Sequence, residues 1–555
     1  MTTLEHTPQE DNQNRNQRIA RSTLIVMVAF GIAKVISLLQ TFIIAQAFGV
    51  GSELDAYVAA NRIPELIVIL ISGGALTHAF IPIFSGFLAR GDTDGAWQLA
   101  SHLINTIFSV ALAVSVFVFL IAPWLVPNVV APGFDAQTTQ STIDMMRILL
   151  ISTIIFSVSG IFSGILNSHQ HFLLPAVAPI MFDVGILIGV IFLMPAMGVH
   201  GIAFGAVLGS LLHFGIQIPG LIHHKMRWKL ELGLRNPVLW RVIRLMLPRI
   251  GGLGVFSLNF LVMNNIASRL GVGSVSALDW GWRLMQIPQT LIGTAMGIVI
   301  FPTLAALSEV GDLTGKRSAM SGALRFILIT SIPSAIGLIV LGQPLISLLE
   351  RGAFDSSASA LVYSTLSMFT LGLIVHSALE VIARSFYADK DTLTPLFAAL
   401  GGATINFVFA IILSEVSTVD SRLSYNLVAR TFPMLGYAPE IGNVSGLALA
   451  NSLGVMFEVL SLLYLLRRRW SGIQEDALSR TVVKTLVASL IMAGVIIVVD
   501  TIWRSLGISD SFVMTIIQLA LEGIIGLITF IIVAIALKMD ELSELWQMVR
   551  RRQTK

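Results

Sequence analysis

Apolar residues along this chain come in runs of about 20 or more, parted by short polar segments, from Thr23 almost to the C-terminus. A helix needs about 20 apolar residues to cross a bilayer. Runs of that length centre near Val35, Ile71, Val114, Ile154, Ile186, Leu208, Phe256, Ile292, Leu328, Leu371, Ile405, Val455, Leu490 and Ile528. The pattern predicts an all-α integral membrane protein of about 14 transmembrane helices. Several runs exceed the thickness of a bilayer, so those helices should tilt or bend. Pro64, Pro82, Pro288 and Pro302 fall within or at the ends of runs, where each removes a backbone donor. The first run, Thr23 to Phe48, is too long for a signal-peptide core and no small-residue cleavage site follows it, so it is expected to be retained.

Basic residues set the expected orientation. With the N-terminus inside, the inner segments hold Arg15, Arg18, Arg21, Arg90, Lys225 to Arg235, Lys316, Arg317, Lys390, Arg467 to Arg469, Arg480 and the tail Arg550 to Arg552. The outer segments hold Arg147, Arg269, Arg351, Arg422, Arg430 and Arg504. Both termini are then cytoplasmic. The expected organisation is a tail at 1–21, a lobe of six helices at 22–224, a linker at 225–236, a second lobe of six at 237–470, two further helices at 471–539 and a basic tail at 540–555.

The two lobes are expected because the chain repeats itself. Gly49-Val50-Gly51-Ser52 recurs as Gly271-Val272-Gly273-Ser274. Asp55 precedes Pro64 by the same interval that separates Asp279 from Pro288, and Arg62 and Arg283 lie in the matching stretches at different offsets. Leu174-Pro175 answers to Thr394-Pro395, and Gly201-Ile202-Ala203 with Gly209 answers to Gly446-Leu447-Ala448 with Gly454. An even number of helices per copy makes the repeats parallel, an arrangement suited to alternating access. The last two helices have no counterpart.

Composition agrees. Of 555 residues, 55% are hydrophobic and 12% charged, with a mean hydropathy of +0.83. A soluble surface needs roughly 25% charge. The sequence pI near 9.2 does not imply a nucleic-acid partner, since the basic residues sit between apolar runs. The chain has no cysteine, which excludes disulfides, thiolate metal sites and cysteine nucleophiles. No Walker A sequence, Gly-x-Ser-x-Gly, His-Glu-x-x-His or acidic metal cluster appears. The chain is therefore read as not an enzyme, with no cofactor and no metal, and energy would come from an ion gradient, the membrane potential or the substrate gradient.

Three stretches resemble a known family. These are Ala47-Phe48-Gly49 through Asp55-Ala56-Tyr57, Asn61-Arg62-Ile63-Pro64 and Ala79-Phe80-Ile81-Pro82; Trp282-Arg283-Leu284 through Pro288 to Phe301-Pro302; and Arg351-Gly352-Ala353-Phe354-Asp355 with Arg384-Ser385-Phe386-Tyr387-Ala388-Asp389 and Asp391-Thr392-Leu393-Thr394-Pro395. They are similar to the MurJ/MviN family of the multidrug/oligosaccharidyl-lipid/polysaccharide exporter superfamily, over roughly residues 20–540. The resemblance implies a flippase in the bacterial cytoplasmic membrane acting in cell-wall biogenesis. Its substrate would be lipid II, a polyprenyl-pyrophosphate-linked glycan, and its partners membrane lipids and cell-wall synthesis proteins. The family's first helix carries a Ser-Arg pair and a second Arg where this chain has Ala33-Lys34 and Gln40. After the second helix's proline, where the family has a Glu-Gly pair, this chain reads Ser72-Gly73-Gly74. These departures keep open a paralogue exporting another polyprenyl-linked glycan and a non-transporting scaffold. A multidrug/cation antiporter on the same superfold is the remaining alternative.

Charge inside a membrane helix costs at least about 2.5–3.5 kcal/mol on insertion scales, so each such residue should face a cavity or a partner. Lys34, Arg62 and Arg283 are the candidates for binding the pyrophosphate, Lys34 as a cation and the two arginines because guanidinium groups match phosphate oxygens two at a time. The alternative for each is a salt bridge. Asp55 and Asp279 are candidates for gating, ion pairing or capping. Glu380 and Arg384 have the helical spacing of an ion pair. Asp183 and Glu458 are candidates for ion coupling. His78, His213 and His376 lack metal-ligand spacing and read as core or cavity residues.

Overall fold

The computed structural model describes residues 36–37, 39–71, 75–414, 443–506 and 511–539. Side chains at 75–78 and 247–249 are outside that description. The described residues form helices and turns, with no strand among them. In chain order the helices longer than six residues are α1 (Leu39–Phe48), α2 (Ser52–Ile71), α3 (Ala75–Ala89), α4 (Thr93–Leu125), α5 (Ala136–Ser168), α6 (Leu173–Ile188), α7 (His200–Gly215), α8 (Pro237–Ala267) and α9 (Ser274–Gln289). Then follow α10 (Ala295–Glu309), α11 (Leu313–Ser347), α12 (Ser356–Ala388), α13 (Leu393–Ser414), α14 (Val444–Trp470), α15 (Glu475–Ser505) and α16 (Phe512–Ala536).

Among the described residues, 12 helices are long and apolar enough to cross a membrane. The apolar stretches Leu39–Phe48 and Ala79–Ala89 are shorter, so the expected count of 14 is not reached on that criterion. The expected 1–21 and 540–555 tails lie outside the described residues, as does Lys34.

The longest helices are not regular throughout. The span Thr93–Val130 has 38 residues, about 57 Å at 1.5 Å per residue, against a hydrocarbon core of about 30 Å. Three short π-helical segments interrupt the long helices: Val126–Val130, Gly189–Leu193 and Thr290–Thr294. Each lies at or near a proline, Pro127, Pro195 and Pro288 respectively. A proline cannot complete the i→i−4 ladder and clashes with the preceding turn, so the helix locally widens or kinks.

By compactness the chain divides into two units, residues 1–48 with 52–261 and residues 49–51 with 262–555. In the first, buried Phe80, Phe84, Trp97, Leu103, Phe162 and Leu166 form a core between α3, α4 and α5. In the second, Leu304, Leu324, Ile327, Phe386, Leu462 and Trp470 form a core between α10, α11, α12 and α14. A separate cluster joins α11 to the last two helices through Ile329, Met492, Ile496 and Phe530.

The turns of one unit are rebuilt in the other. Gly91 has φ +74° and Gly311 has φ +70°. The next residue in each copy caps a helix: Asp92 accepts from Gly95 N and Asp312 from Gly315 N, both at 2.8 Å. Asp135 caps α5 from Thr138 N and Asp355 caps α12 from Ala358 N, again at 2.8 Å. Gln170 and Lys390 hold the left-handed position that ends the following helix. Each member lies 220 residues beyond its counterpart. An N-cap oxygen satisfies a donor that the first helical turn leaves open, so these turns fix where each long helix begins. The hairpins α6–α7 and α13–α14 close on glycine. A Cβ on Gly185 would lie 2.2 Å from Gly209 Cα, and one on Gly402 would lie 2.8 Å from the Gly454 carbonyl oxygen. Without side chains there, the backbones approach as small residues allow in membrane helix pairs.

Candidate functional site

In the first unit, α2 carries two of the expected residues. Asp55 is buried in its first turn, where the helix dipole favours a carboxylate. Arg62 lies two turns on, with a side chain only 12% exposed. Its Nη1 is 3.7 Å from Glu65 Oε2, and its Cζ stands 5.9 Å from the centre of the Phe260 ring on α8. Glu65 was not among the expected partners. It follows Arg62 by three residues, a spacing that places both on one helix face.

In the second unit, Arg283 is braced rather than buried. Its Nε donates to Asp279 Oδ2 at 2.5 Å across one helical turn, and Asp279 is buried. The Arg283 side chain is itself 66% exposed. Guanidinium carries five donors in a planar fork. One carboxylate on the Nε side holds the stem in place, while the group as a whole keeps its charge at an accessible surface.

Next to it runs a polar seam between α9–α10 and α12. Three glycines bring the helices together. A Cβ added at Gly281 would fall 2.3 Å from Thr365 Oγ1, one at Gly293 would fall 2.7 Å from Ser377 Cα, and one at Gly297 would fall 1.8 Å from Arg384 Nη1. Glu380 and Arg384 form the expected ion pair, and Arg384 Nη1 also donates to the Glu380 carbonyl at 2.7 Å. Thr294, in the π segment after Pro288, donates to Glu380 Oε1 at 3.4 Å. His376, one turn before Glu380, is buried with Nε2 3.2 Å from Asn451 Oδ1 and its ring centre 5.2 Å from Trp282. The expected pair Glu380–Arg384 is therefore part of a larger constellation. The repeated prolines hinted at a bend here, but only folding brings Thr294 and Asn451 to it.

Asp183 and Glu458 lie on the glycine-crossed hairpins. Asp183 is half-buried on α6, two residues before Gly185. Glu458 is half-buried on α14, four residues after Gly454. A Cβ on Gly402 would stand 3.5 Å from its Oε2. His213 occupies the same place in the first unit, four residues after Gly209. It is buried, with Nδ1 2.6 Å from Ser159 Oγ, and Gln217 Nε2 donates to the same hydroxyl at 2.8 Å. Both hairpins thus carry a titratable side chain one turn past the crossing glycine. His213 and His376 are core residues, as read from the sequence.

The turns that follow α5 and α12 differ in a way the repeat makes visible. In the second unit, Lys316 pairs with Asp389, which also accepts from Ser308, and Arg469 pairs with Asp391 at 2.7 Å. Burial alone would push both aspartates up, but these partners, with Thr394 at Asp391, outweigh it and hold them below the usual range. In the first unit the counterparts of Asp389, Asp391 and Arg469 are His169, His171 and His224. The His169 and His224 rings stack with centres 4.2 Å apart, and the Nε2 of each is buried without a hydrogen-bond partner. Burial, reinforced by the neighbouring histidines, lowers the pKa of both rings. Near pH 7 the rings are neutral folded and largely neutral unfolded. As pH falls below about 6.5, the unfolded chain takes up protons that the folded chain refuses, so stability drops. The thermal midpoint of the purified protein is expected to fall between pH 7 and pH 5, and His169→Phe should flatten that decline. Parallel profiles for wild type and variant would contradict this.

The 12 helices among the described residues that are long and apolar enough to cross a membrane, the internal repeat, and the charged and polar groups held inside the helices define a multi-pass membrane protein. Solved multidrug-resistance transporters of the MATE family share that fold: an inward-facing structure superimposes with a TM-score of 0.66 over 81% of this chain and 99% of that one, at 15% identity. An inward-closed structure of lipid II flippase MurJ superimposes with a TM-score of 0.74 over 94% of this chain and 100% of that one, at 25% identity. The family model for lipid II flippase MurJ matches residues 44–518, and the chain belongs to that family. Curated relatives include the lipid II flippase MurJ of Burkholderia cenocepacia, 30% identical over 83% of this chain and 86% of its own length. The probable lipid II flippase MurJ of Vibrio cholerae is 26% identical over 92% of this chain and 94% of its own.

Proposed function

We propose that the protein moves lipid II from the inner to the outer leaflet of the bacterial cytoplasmic membrane by alternating access, with both termini in the cytoplasm. The match to the flippase family across residues 44–518 carries this reading. Arg283 supplies the chemistry: a membrane-helix guanidinium, braced by Asp279 and accessible, suits a diphosphate. Arg62 and Lys34 serve the same charge, and Asp183 and Glu458 take up the coupling ion. No step requires catalysis, since the substrate's bonds are unchanged. Moving a net charge across the membrane is worth about 2.3 kcal/mol per 100 mV, enough for the membrane potential to reset the carrier once the headgroup has left. The test is complementation. Expressed in a bacterium depleted of its own lipid II flippase, the chain should restore growth and cell shape. Lysis despite normal membrane insertion would overturn the assignment.

A further inference from the structure

The segment joining α7 to α8 contains a run of exposed apolar side chains on a backbone that is fixed in place. Ser101 and, one turn further along α4, Asn105 and Thr106 hold it. Asn105 Nδ2 donates to the carbonyls of Lys229 at 2.7 Å and Glu231 at 2.9 Å, and Thr106 Oγ1 donates to that of Leu232 at 2.9 Å. Lys229 N donates to Ser101 Oγ at 3.1 Å. Gly233 has φ +61°, and a Cβ there would strike the His102 ring at 2.1 Å, so the chain turns tightly against α4. The Trp228 and Trp240 indoles donate to Asn105 Oδ1 at 3.0 Å and the Leu234 carbonyl at 2.7 Å. The polar backbone is thus tied down, while Trp228 is 52%, Leu230 82% and Leu234 56% exposed.

The place of attachment says what covers these side chains. On α4 the exposed large apolar residues begin at Phe108 and continue to Trp124. This is the band such a helix turns to lipid. Thr106 lies two residues before it, about 3 Å along the axis. The strap therefore crosses the helix where hydrocarbon gives way to headgroups, the depth at which tryptophan concentrates. Its charge points to the chemistry of the surface. Lys225, Arg227, Lys229, Arg235, Arg241 and Arg244 are exposed between 225 and 246, against Glu231 as the single acid. Arg227 is also paired with Asp94 at 2.6 Å, and Glu231 lies 3.5 Å from His102.

We propose that residues 225–245 form an interfacial strap that binds anionic phospholipid, its tryptophan and leucine side chains seated among the acyl-chain segments next to the glycerol and its basic residues on the phosphates. That the leaflet is the cytoplasmic one rests on the orientation proposed above; contact with lipid does not. The absence of cysteine makes the test direct. Leu230→Cys, labelled with an environment-sensitive fluorophore, is reconstituted with the full chain in nanodiscs of phosphatidylglycerol mixed with phosphatidylethanolamine. The strap predicts blue-shifted emission, strong quenching by lipids spin-labelled near the headgroup, and several-fold protection from iodide relative to the free dye. In phosphatidylcholine alone the shift should shrink. A label quenched by iodide as freely as the dye, with no quenching from lipid, would overturn the proposal, and points instead to a surface awaiting a protein. An identical shift in both lipids would overturn the anionic specificity. The readout needs no lipid II, so it stands or falls separately from transport.

Discussion

Arg283→Ala is expected to reduce lipid II translocation at least about 100-fold, with the protein still inserted in the membrane. Hydrogen bonds to charged groups contribute about 1.5–3 kcal/mol each, and a guanidinium offers a phosphate two at once. Their loss is worth several powers of ten in affinity at the upper end. Arg283→Lys should recover part of the activity, because it keeps the charge and loses the planar fork. The alanine change also removes the cation 2.5 Å from buried Asp279, so some loss of stability is expected as well. The double variant Asp279→Asn with Arg283→Gln separates the two effects. It should restore the thermal midpoint and leave translocation at background. Transport by a folded double variant would remove Arg283 from the site.

Lys316→Ala is expected to be the most destabilising single change in the second unit, by roughly 3 kcal/mol, on the scale of a buried ion pair deprived of one partner. Lys316 is buried at the start of α11. It pairs with Asp389 at the end of α12, lies within reach of Ser308 on α10, and sits 4.9 Å from the centre of the Trp470 ring at the end of α14. One ammonium therefore ties four helix ends. Removing it leaves Asp389 half-buried without its cation. Removing both charges together, as Lys316→Met with Asp389→Leu, should cost much less, because apolar replacements need no solvation. Thermal unfolding in detergent or nanodiscs reads both, and equal losses in single and double variants would show that the ion pair is not what Lys316 contributes.

The membrane class was legible because it depends on composition and run length alone. The internal repeat was legible at Gly49-Val50-Gly51-Ser52 and at the glycine pairs, where the backbone geometry tolerates few residue types. The capping aspartates Asp92, Asp135, Asp312 and Asp355 carry the repeat at one constant spacing, yet each is a single polar residue between helices, easily passed over. The pairs Asp279–Arg283 and Glu380–Arg384 follow from helical spacing. What sequence could not supply was contact between distant segments: Thr294 reaching Glu380 across the π segment, Asn451 meeting His376, or a linker strapped to α4 by Asn105. The stack of His169 and His224 was equally hidden, since neither residue has a pattern around it. It becomes meaningful only beside the ion pairs that hold the equivalent corner of the other unit.

If this chain carries lipid II across the membrane, the leaflet in which lipid II resides reports it. In spheroplasts depleted of the resident flippase, the chain is expressed and a membrane-impermeant reagent that cleaves the lipid II headgroup is added outside. Transport by this chain makes lipid II cleavable in proportion to the amount of protein present. Lipid II that stays protected while the protein is abundant and membrane-inserted would contradict it.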